Sequence, residues 1–316
     1  MSQYTVGKRK KAGLAVLLLF ILLNVVAAFH AYRFTHFIET QSEKTKDPKS
    51  LSVFQKIGTL VFGVKNPRPV NLKTPSDSFE IIELASNKKI EAWYIKTLTP
   101  KGTVILFHGF GGSKSGLLDK AELFKSLGYN TLLVDFMGSG GSEGNQTTIG
   151  FYEAEEVKTC FEYIEAKGEK NIILFGTSMG AVAIMKALKE YPLHPKKTIL
   201  ECPFGSMYQT VCARFNTMKV PSFPMAGLLV FWGGIENGFW AFNHHPIEYA
   251  KSINSPTLLL YGQKDEKVSK EEIDKILENL TGIKECKIYP NAGHENYLNK
   301  YKNEWVKDVA NFLNTN

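Results

Sequence analysis

The sequence predicts an α/β fold in which a mostly parallel sheet is flanked by helices. From about residue 70 onwards, strand-like segments alternate with helical ones, which is typical of parallel sheets with right-handed crossovers. Several strand segments, such as residues 104–107 and 257–260, are continuous apolar runs, as expected for strands covered on both faces. A third observation is the Gly-Thr-Ser-Met-Gly stretch at residues 176–180, which stands between an apolar run and a helical run and predicts a tight strand–turn–helix junction.

Length and composition limit the possible architectures and partners. The 316 residues suffice for one large α/β domain or two small ones, and an apolar content of 44% argues against disorder. Four of the seven net positive charges come from residues 8–11, so the remainder carries too little charge to predict a nucleic-acid partner. The four cysteines have no metal-binding spacing. Cys202 and Cys212 are close enough in sequence to pair, but we expect free thiols.

The amino-terminal region predicts a membrane segment. Residues 12–29 are apolar except for Asn24, and as a helix they span about 27 Å, enough for a thin hydrocarbon core. The basic run precedes them, so residues 1–11 are predicted to form a cytoplasmic tail and the rest of the chain to be exported. We expect a retained anchor over residues 12–31. The alternative is a signal peptide cleaved near Ala28, which leaves a secreted or periplasmic protein.

Residues 32–69 are predicted to connect this segment to the main domain. Residues 40–50 are polar and charged, as in a linker. Residues 51–64 predict a helix with four apolar side chains on one face: Leu51, Phe54, Ile57 and Val61. Both a juxtamembrane helix lying near the bilayer and a helix packed on the main domain fit this pattern. Two nearby prolines then mark a boundary, so the main domain is predicted to cover residues 70–316.

Eight strands and five helices are predicted in this domain. The strands are 79–84, 90–96, 104–107, 131–135, 171–175, 198–201, 257–261 and 286–289. The helices are 114–127, 150–167, 178–191, 270–280 and 296–313. The segment between the sixth and seventh strands, about residues 203–254, is longer than such a connection needs, and it is rich in aromatic residues. We expect a cap with Trp232, Phe239 and Trp240 as candidate substrate-binding residues, the alternative being an extra pair of structural helices.

Three residues in separate loops predict nucleophilic catalysis. The turn at residues 176–180 leaves no room for a Cβ on either side of Ser178 and holds its hydroxyl clear of the sheet. A serine hydroxyl needs a base beside it, and His294 follows the last strand, at the edge where sites gather in parallel sheets. Asp265 follows the seventh strand and is the expected carboxylate behind the base, with Glu266 and Glu201 as alternatives.

Two backbone N–H groups are needed to stabilise the oxyanion that such a reaction forms. Met179 supplies one from the residue after the serine, and the Gly-rich loop at residues 108–112 supplies the other, with Phe110 as the expected donor. Gly109 allows a substrate to approach the backbone and is a candidate substrate-binding residue. His108 is expected to support the loop. Residues 135–144 lack the spacing of a phosphate-binding loop and are expected to flank the site.

These motifs, together with residues 262–265, resemble those of α/β-hydrolases in the monoacylglycerol-lipase and serine-aminopeptidase-like branch, from about residue 75 to the end of the chain. The resemblance implies an eight-stranded sheet with a cap after the sixth strand. It also implies a catalytic triad in the chain order Ser178, Asp265, His294 and oxyanion contacts from Phe110 and Met179. One departure is Met137, where the branch usually has an arginine that braces the loop.

We therefore expect a membrane-anchored serine hydrolase that cleaves carboxylic esters, lipase-like, through an acyl-enzyme intermediate. The aromatic insertion and the apolar segment favour a small-molecule, lipid-like ester with a medium or long acyl group as substrate. One alternative is a peptidase or thioesterase with the same triad. A peptidase is disfavoured because the insertion holds few carboxylates, chiefly Glu236 and Glu248. Another alternative is a non-catalytic scaffold on a hydrolase fold. No metal or organic cofactor is expected, and the sequence does not predict an oligomeric state.

Overall fold

The structure is a computed structural model that describes residues 2–39, 45 and 52–315. Its strands are β1 (Phe79–Ala85), β2 (Lys89–Ile95), β3 (Thr103–Phe107), β4 (Asn130–Val134), β5 (Ile172–Thr177), β6 (Lys197–Glu201), β7 (Thr257–Gly262) and β8 (Lys284–Tyr289). Its helices are α1 (Ser2–Thr35), α2 (Val53–Phe62), α3 (Leu118–Ser126), α4 (Glu153–Ala166), α5 (Met179–Glu190), α6 (Met207–Met218), α7 (Met225–Glu236), α8 (Pro246–Tyr249), α9 (Lys270–Asn279), α10 (Tyr297–Lys300) and α11 (Lys302–Asn314). Short 3-10 turns lie at Lys114–Leu117, Ala241–Asn243 and Ala250–Ser252.

All eight predicted strands belong to one sheet, with the order β1-β2-β4-β3-β5-β6-β7-β8. The pairs β1–β2 and β2–β4 are antiparallel, and every other neighbouring pair is parallel. The predicted mostly parallel eight-stranded sheet is therefore confirmed. Since the carboxyl ends of the parallel strands lie at one edge, the loops that follow β3, β5, β7 and β8 converge there.

Two apolar layers cover the sheet. On β3, Ile105 and Phe107 pack into the layer formed with α4 and α5, whereas Val104 and Leu106 pack into the layer formed with α3 and α11. This alternation follows from the two-residue period of a strand, and it explains why the central strands are continuous apolar runs. The predicted helix over residues 296–313 is interrupted at Tyr301, and the predicted helix over 114–127 begins as a 3-10 turn.

The predicted insertion forms α6, α7, α8 and the short turns around them. Helix α7 packs along α1. Trp232 Nε1 donates a hydrogen bond to Asn24 Oδ1 at 3.0 Å, and Asn237 Nδ2 donates to Thr35 Oγ1 at 3.2 Å. These contacts give α7 a structural partner, and the function of the insertion as a cap stays a prediction.

Helix α1 extends beyond the predicted end of the anchor at residue 31. Among the described residues, Lys10–Thr35 is the one helix that is long and apolar enough to cross a membrane. Its carboxyl-terminal half is fixed to the rest of the protein: Ala27, Ala31 and Thr35 are buried and recur every four positions, so they share one helix face. Ala31 on this face lies against Gly233 of α7.

The segment that follows α1 is described only in part. The polar stretch at residues 40–50 lies outside the described residues apart from Thr45, and Leu51 also lies outside them. The predicted juxtamembrane helix is α2, which Ser52 and Gln55 cap reciprocally. Phe54, on its predicted apolar face, is 86% exposed. By contrast, residues 36–38 and 66–69 are hydrogen-bonded to each other or to the main domain.

Candidate active site

Ser178 occupies a strained turn between β5 and α5. Its φ of 53° and ψ of −112° form a conformation that non-glycine residues rarely adopt. A Cβ on Gly176 would lie 2.5 Å from the carbonyl carbon of Gly180, and a Cβ on Gly180 would lie 2.3 Å from the carbonyl oxygen of Phe107. No side chain fits at either position, which is the physical reason for the two glycines.

The structure brings Ser178, His294 and Asp265 together. His294 Nε2 lies 3.0 Å from Ser178 Oγ, and His294 Nδ1 lies 2.7 Å from Asp265 Oδ2. The other carboxylate oxygen, Oδ1, accepts hydrogen bonds from the backbone N–H groups of Lys267 at 2.8 Å and Val268 at 3.0 Å. The Asp265 side chain is inaccessible to solvent, so its orientation behind the imidazole is fixed.

The surroundings of His294 make its imidazole a stronger base than a free histidine. Burial lowers the pKa of the imidazole, but Cys202 and Asp265 raise it, and the net pKa lies above the ordinary value of 6.5. The buried Asp265 carboxylate therefore stabilises the protonated form of the ring.

Cys202, Asp265 and His294 also place possible metal-ligand atoms within 4.8 Å of one another. Both ring nitrogens of His294 are already within hydrogen-bonding distance of Ser178 and Asp265. We therefore interpret this group as a proton-transfer site beside a buried thiol. Cys202 and Cys212 are not bonded to each other.

Glu201, an alternative to Asp265, is hydrogen-bonded to residues other than His294. It accepts hydrogen bonds from Trp305 Nε1 at 2.6 Å and from Thr177 Oγ1 at 3.0 Å. The Lys120 ammonium lies 3.7 Å from Glu201 Oε2. This carboxylate therefore ties β6 to α11 and α3, whereas Asp265 faces the imidazole.

The Gly-rich loop after β3 lies directly against the serine. A Cβ on Gly109 would lie 3.5 Å from Ser178 Cβ. His108 is buried. Its Nε2 accepts from the backbone N–H of Phe136 at 3.1 Å, so its Nδ1 carries the hydrogen and donates to the Gly109 carbonyl at 2.9 Å. Burial lowers the pKa of His108, which keeps the ring neutral. These contacts agree with the expected supporting role.

Charged residues that the sequence did not single out brace the loop at residues 135–144. Arg68 donates from Nη1 to the Gly140 carbonyl at 2.8 Å, from Nε to the Gly144 carbonyl at 3.2 Å, and from Nη2 to the Ser142 carbonyl. The fully buried Lys114 pairs with the Asp135 carboxylate. Arg68 thus supplies a guanidinium to the loop that contains Met137. The available signal was an arginine between two prolines, Pro67 and Pro69, which is too weak to predict these contacts.

The aromatic residues predicted to bind substrate make other contacts. Trp232 bonds to Asn24 of α1, and Phe239 stacks on Phe151 with ring centroids 4.1 Å apart. Trp240 is half exposed. The substrate-binding roles of Trp232, Phe239 and Trp240 stay predictions.

Comparisons with known proteins agree with this architecture. The family model described as serine aminopeptidase, S33, matches residues 99–231. The solved structure of the esterase Pf2001 from Pyrococcus furiosus superposes with a TM-score of 0.66 at 24% identity, over 78% of this chain and 96% of that chain. The chain has the α/β-hydrolase fold.

Two curated relatives are also similar to this chain. The uncharacterized protein YqkD of Bacillus subtilis is 25% identical over 237 residues, which cover 74% of this chain and 78% of YqkD. The lysophosphatidylserine lipase ABHD12 of Mus musculus is 28% identical over 195 residues, which cover 56% of this chain and 45% of the lipase. The match thus spans less than half of that lipase. The family match and the likeness to this lipase support a hydrolase.

Proposed function

We propose that the protein is a membrane-anchored serine hydrolase that cleaves carboxylic esters with an apolar acyl group. The observation that carries this proposal is the hydrogen-bonded chain from Ser178 Oγ through His294 to Asp265, with links of 3.0 and 2.7 Å. A serine on a strained turn, a base within reach and a buried carboxylate behind that base are the groups that acyl transfer requires.

In the proposed reaction, Ser178 Oγ attacks the ester carbonyl carbon while His294 Nε2 takes the hydroxyl proton. The carbonyl oxygen becomes an oxyanion that accepts hydrogen bonds from the backbone N–H groups of Phe110 and Met179. The ester C–O bond then breaks, the alcohol leaves with the proton from His294, and the acyl group stays on Ser178. A water molecule gives its proton to His294, attacks the acyl-enzyme and releases the carboxylic acid.

An apolar acyl group suits the surroundings of the oxyanion loop. The rings of Phe34 and Phe37 lie against Phe110, so the side chains around the proposed oxyanion donor are aromatic. Each methylene of an acyl chain that leaves water contributes about 0.8 kcal/mol to substrate binding. The relative named as a lysophosphatidylserine lipase supports lysophospholipids as members of the proposed substrate class.

The proposal includes a retained anchor with the catalytic domain outside the cytoplasm. Ala27, at the candidate cleavage site, is fully buried on the face of α1 that packs on α7, and the basic run lies on the other side of the apolar segment. Amino-terminal sequencing of the protein purified from membranes tests this point. A mature chain that begins just after Ala28 would identify a cleaved signal peptide instead.

Labelling with a fluorophosphonate probe tests the chemistry. We expect the wild-type protein to label, Ser178→Ala to lose the label, and Ser126→Ala, which replaces a serine on α3, to retain it. Equal labelling of wild type and Ser178→Ala would reject Ser178 as the nucleophile. Absence of labelling in a folded wild-type protein would favour the non-catalytic scaffold.

The substrate class is tested with p-nitrophenyl esters of increasing acyl length, matching thioesters, aminoacyl anilides and lysophosphatidylserine. We expect kcat/KM to rise along the ester series by up to about fourfold for each methylene that becomes buried. Preference for anilides would identify a peptidase, and preference for thioesters a thioesterase.

A further inference from the structure

The end of helix α1 contacts the proposed oxyanion loop directly. The Phe34 and Phe110 rings are stacked, with centroids 4.6 Å apart and planes 7° apart, and the Phe37 ring lies 6.0 Å from that of Phe110. We propose that Phe34 is a positioning residue for the Phe110 N–H. The apolar helix α1 would then contribute to turnover as well as to membrane attachment. This inference rests on the proposed hydrolase function.

The loop needs such a support because its glycines make its backbone flexible. Phe110 stands between Gly109 and Gly111, and Gly112 follows, so Phe110 carries the one side chain in this stretch that is able to pack. The loop closes with a hydrogen bond from the Gly112 N–H to the Gly109 carbonyl at 3.1 Å. Fixing the Phe110 ring therefore restrains the peptide that carries the proposed donor.

Phe34 is itself held from several sides. Its carbonyl oxygen accepts a hydrogen bond from Asn66 Nδ2 at 3.1 Å, and the adjacent Thr35 carbonyl accepts from the backbone N–H of Thr147 at 2.9 Å. The guanidinium carbon of Arg214, on α6, lies 4.9 Å from the centroid of the Phe34 ring. The ring that supports Phe110 is thus anchored to the insertion and to the main domain.

A displaced oxyanion donor affects the transition state more than the bound ester, because the oxygen carries full negative charge only after attack. Removing a donor outright costs roughly 100- to 1,000-fold in kcat. Phe34→Ala loosens the donor without removing it, so we expect a loss of about tenfold in kcat with KM of a short ester nearly unchanged. The Phe37 ring is farther from Phe110, so Phe37→Ala should lower kcat by less.

The test uses the full-length protein in detergent and in lipid vesicles, with kcat expressed per serine titrated by the fluorophosphonate. The matched control is Phe54→Ala, which truncates an exposed phenylalanine of α2. The second readout is the Ki of a trifluoromethyl ketone, which forms a tetrahedral oxyanion adduct on Ser178. In Phe34→Ala, Ki should rise in step with the loss of kcat, whereas a purely structural defect would reduce only the number of titrated sites.

A double-mutant cycle keeps the inference testable if Phe34→Ala folds poorly. Phe110→Ala retains the backbone N–H and removes only the ring, so it should reproduce the defect of Phe34→Ala, and the double variant should be no worse than either single variant. Unchanged kcat and Ki in Phe34→Ala or in Phe110→Ala would overturn the inference while leaving the hydrolase intact. An inactive, unlabelled wild-type protein would instead reject the proposed function.

Discussion

Replacing Asp265 with asparagine tests the proposed triad more sharply than removing it. Two backbone N–H groups, from Lys267 and Val268, donate to Oδ1 at 2.8 and 3.0 Å. They fix the oxygen of an asparagine at that position, and the NH2 group must then face His294 Nδ1. The imidazole has to accept there, so its single hydrogen moves to Nε2, and the ring can no longer take a proton from Ser178.

The expected loss follows from this change of tautomer. In a serine protease triad, the same substitution of the buried aspartate lowers kcat by about 10,000-fold, which corresponds to roughly 5.5 kcal/mol of transition-state stabilisation. The pH profile should move as well. Burial lowers the pKa of His294, but Cys202 and the Asp265 carboxylate raise it above its ordinary value, so kcat/KM of the wild type should fall as the pH drops through that raised value. In Asp265→Asn this limb should shift to lower pH.

The assay is p-nitrophenyl butyrate hydrolysis per titrated serine, measured from pH 5 upwards. Glu266→Gln is the matched control, because it neutralises the neighbouring carboxylate that the sequence left as an alternative. We expect Glu266→Gln to stay within about threefold of the wild type. An Asp265→Asn variant within tenfold of the wild type, or one with an unshifted acid limb, would refute the reasoning.

Three further predictions concern the framework of the site. Gly180→Ala should lower the free energy of unfolding by at least about 2 kcal/mol in urea, because its Cβ would meet the Phe107 carbonyl, whereas Gly116→Ala has open space and should be nearly neutral. Arg68→Ala should cost about 1–3 kcal/mol and speed amide hydrogen exchange at residues 138–144, and Arg68→Lys should rescue it only partly; unchanged exchange would contradict this role. Burial lowers the pKa of His244 to about 3, so its contribution to stability is present above pH 6.5 and is lost as the pH falls towards 3. His244→Gln should flatten that part of the wild-type stability profile, and parallel profiles would contradict the assignment.

The sequence predicted the sheet because the period of burial along each strand is a local property. All eight strands lie within two residues of their predicted limits. The relative positions of Ser178, Asp265 and His294 were also predictable, because each follows a parallel strand and the carboxyl ends of such strands share one edge. The environment of His244 was not predicted: it is fully buried and lies within hydrogen-bonding distance of Tyr249 and the Ile149 carbonyl.

Contacts that depend on how side chains of distant segments fit together could not be predicted from the sequence. The apolar pattern of α7 indicates that its side chains are removed from water, but the same pattern suits a helix that covers a ligand and a helix that packs on another helix. Trp232, which was predicted to contact substrate, donates a hydrogen bond to Asn24 of α1, and its substrate-binding role stays a prediction. Phe34 had no role in the predicted anchor, because a stacked pair of rings from distant segments leaves no periodic signal. The residues proposed for catalysis are recognisable from their amino-acid type and from their order along the chain. The residues proposed to position them are visible only in the folded structure, where Phe34 of α1 stacks on Phe110 of the Gly-rich loop and Arg214 of the insertion lies over the Phe34 ring.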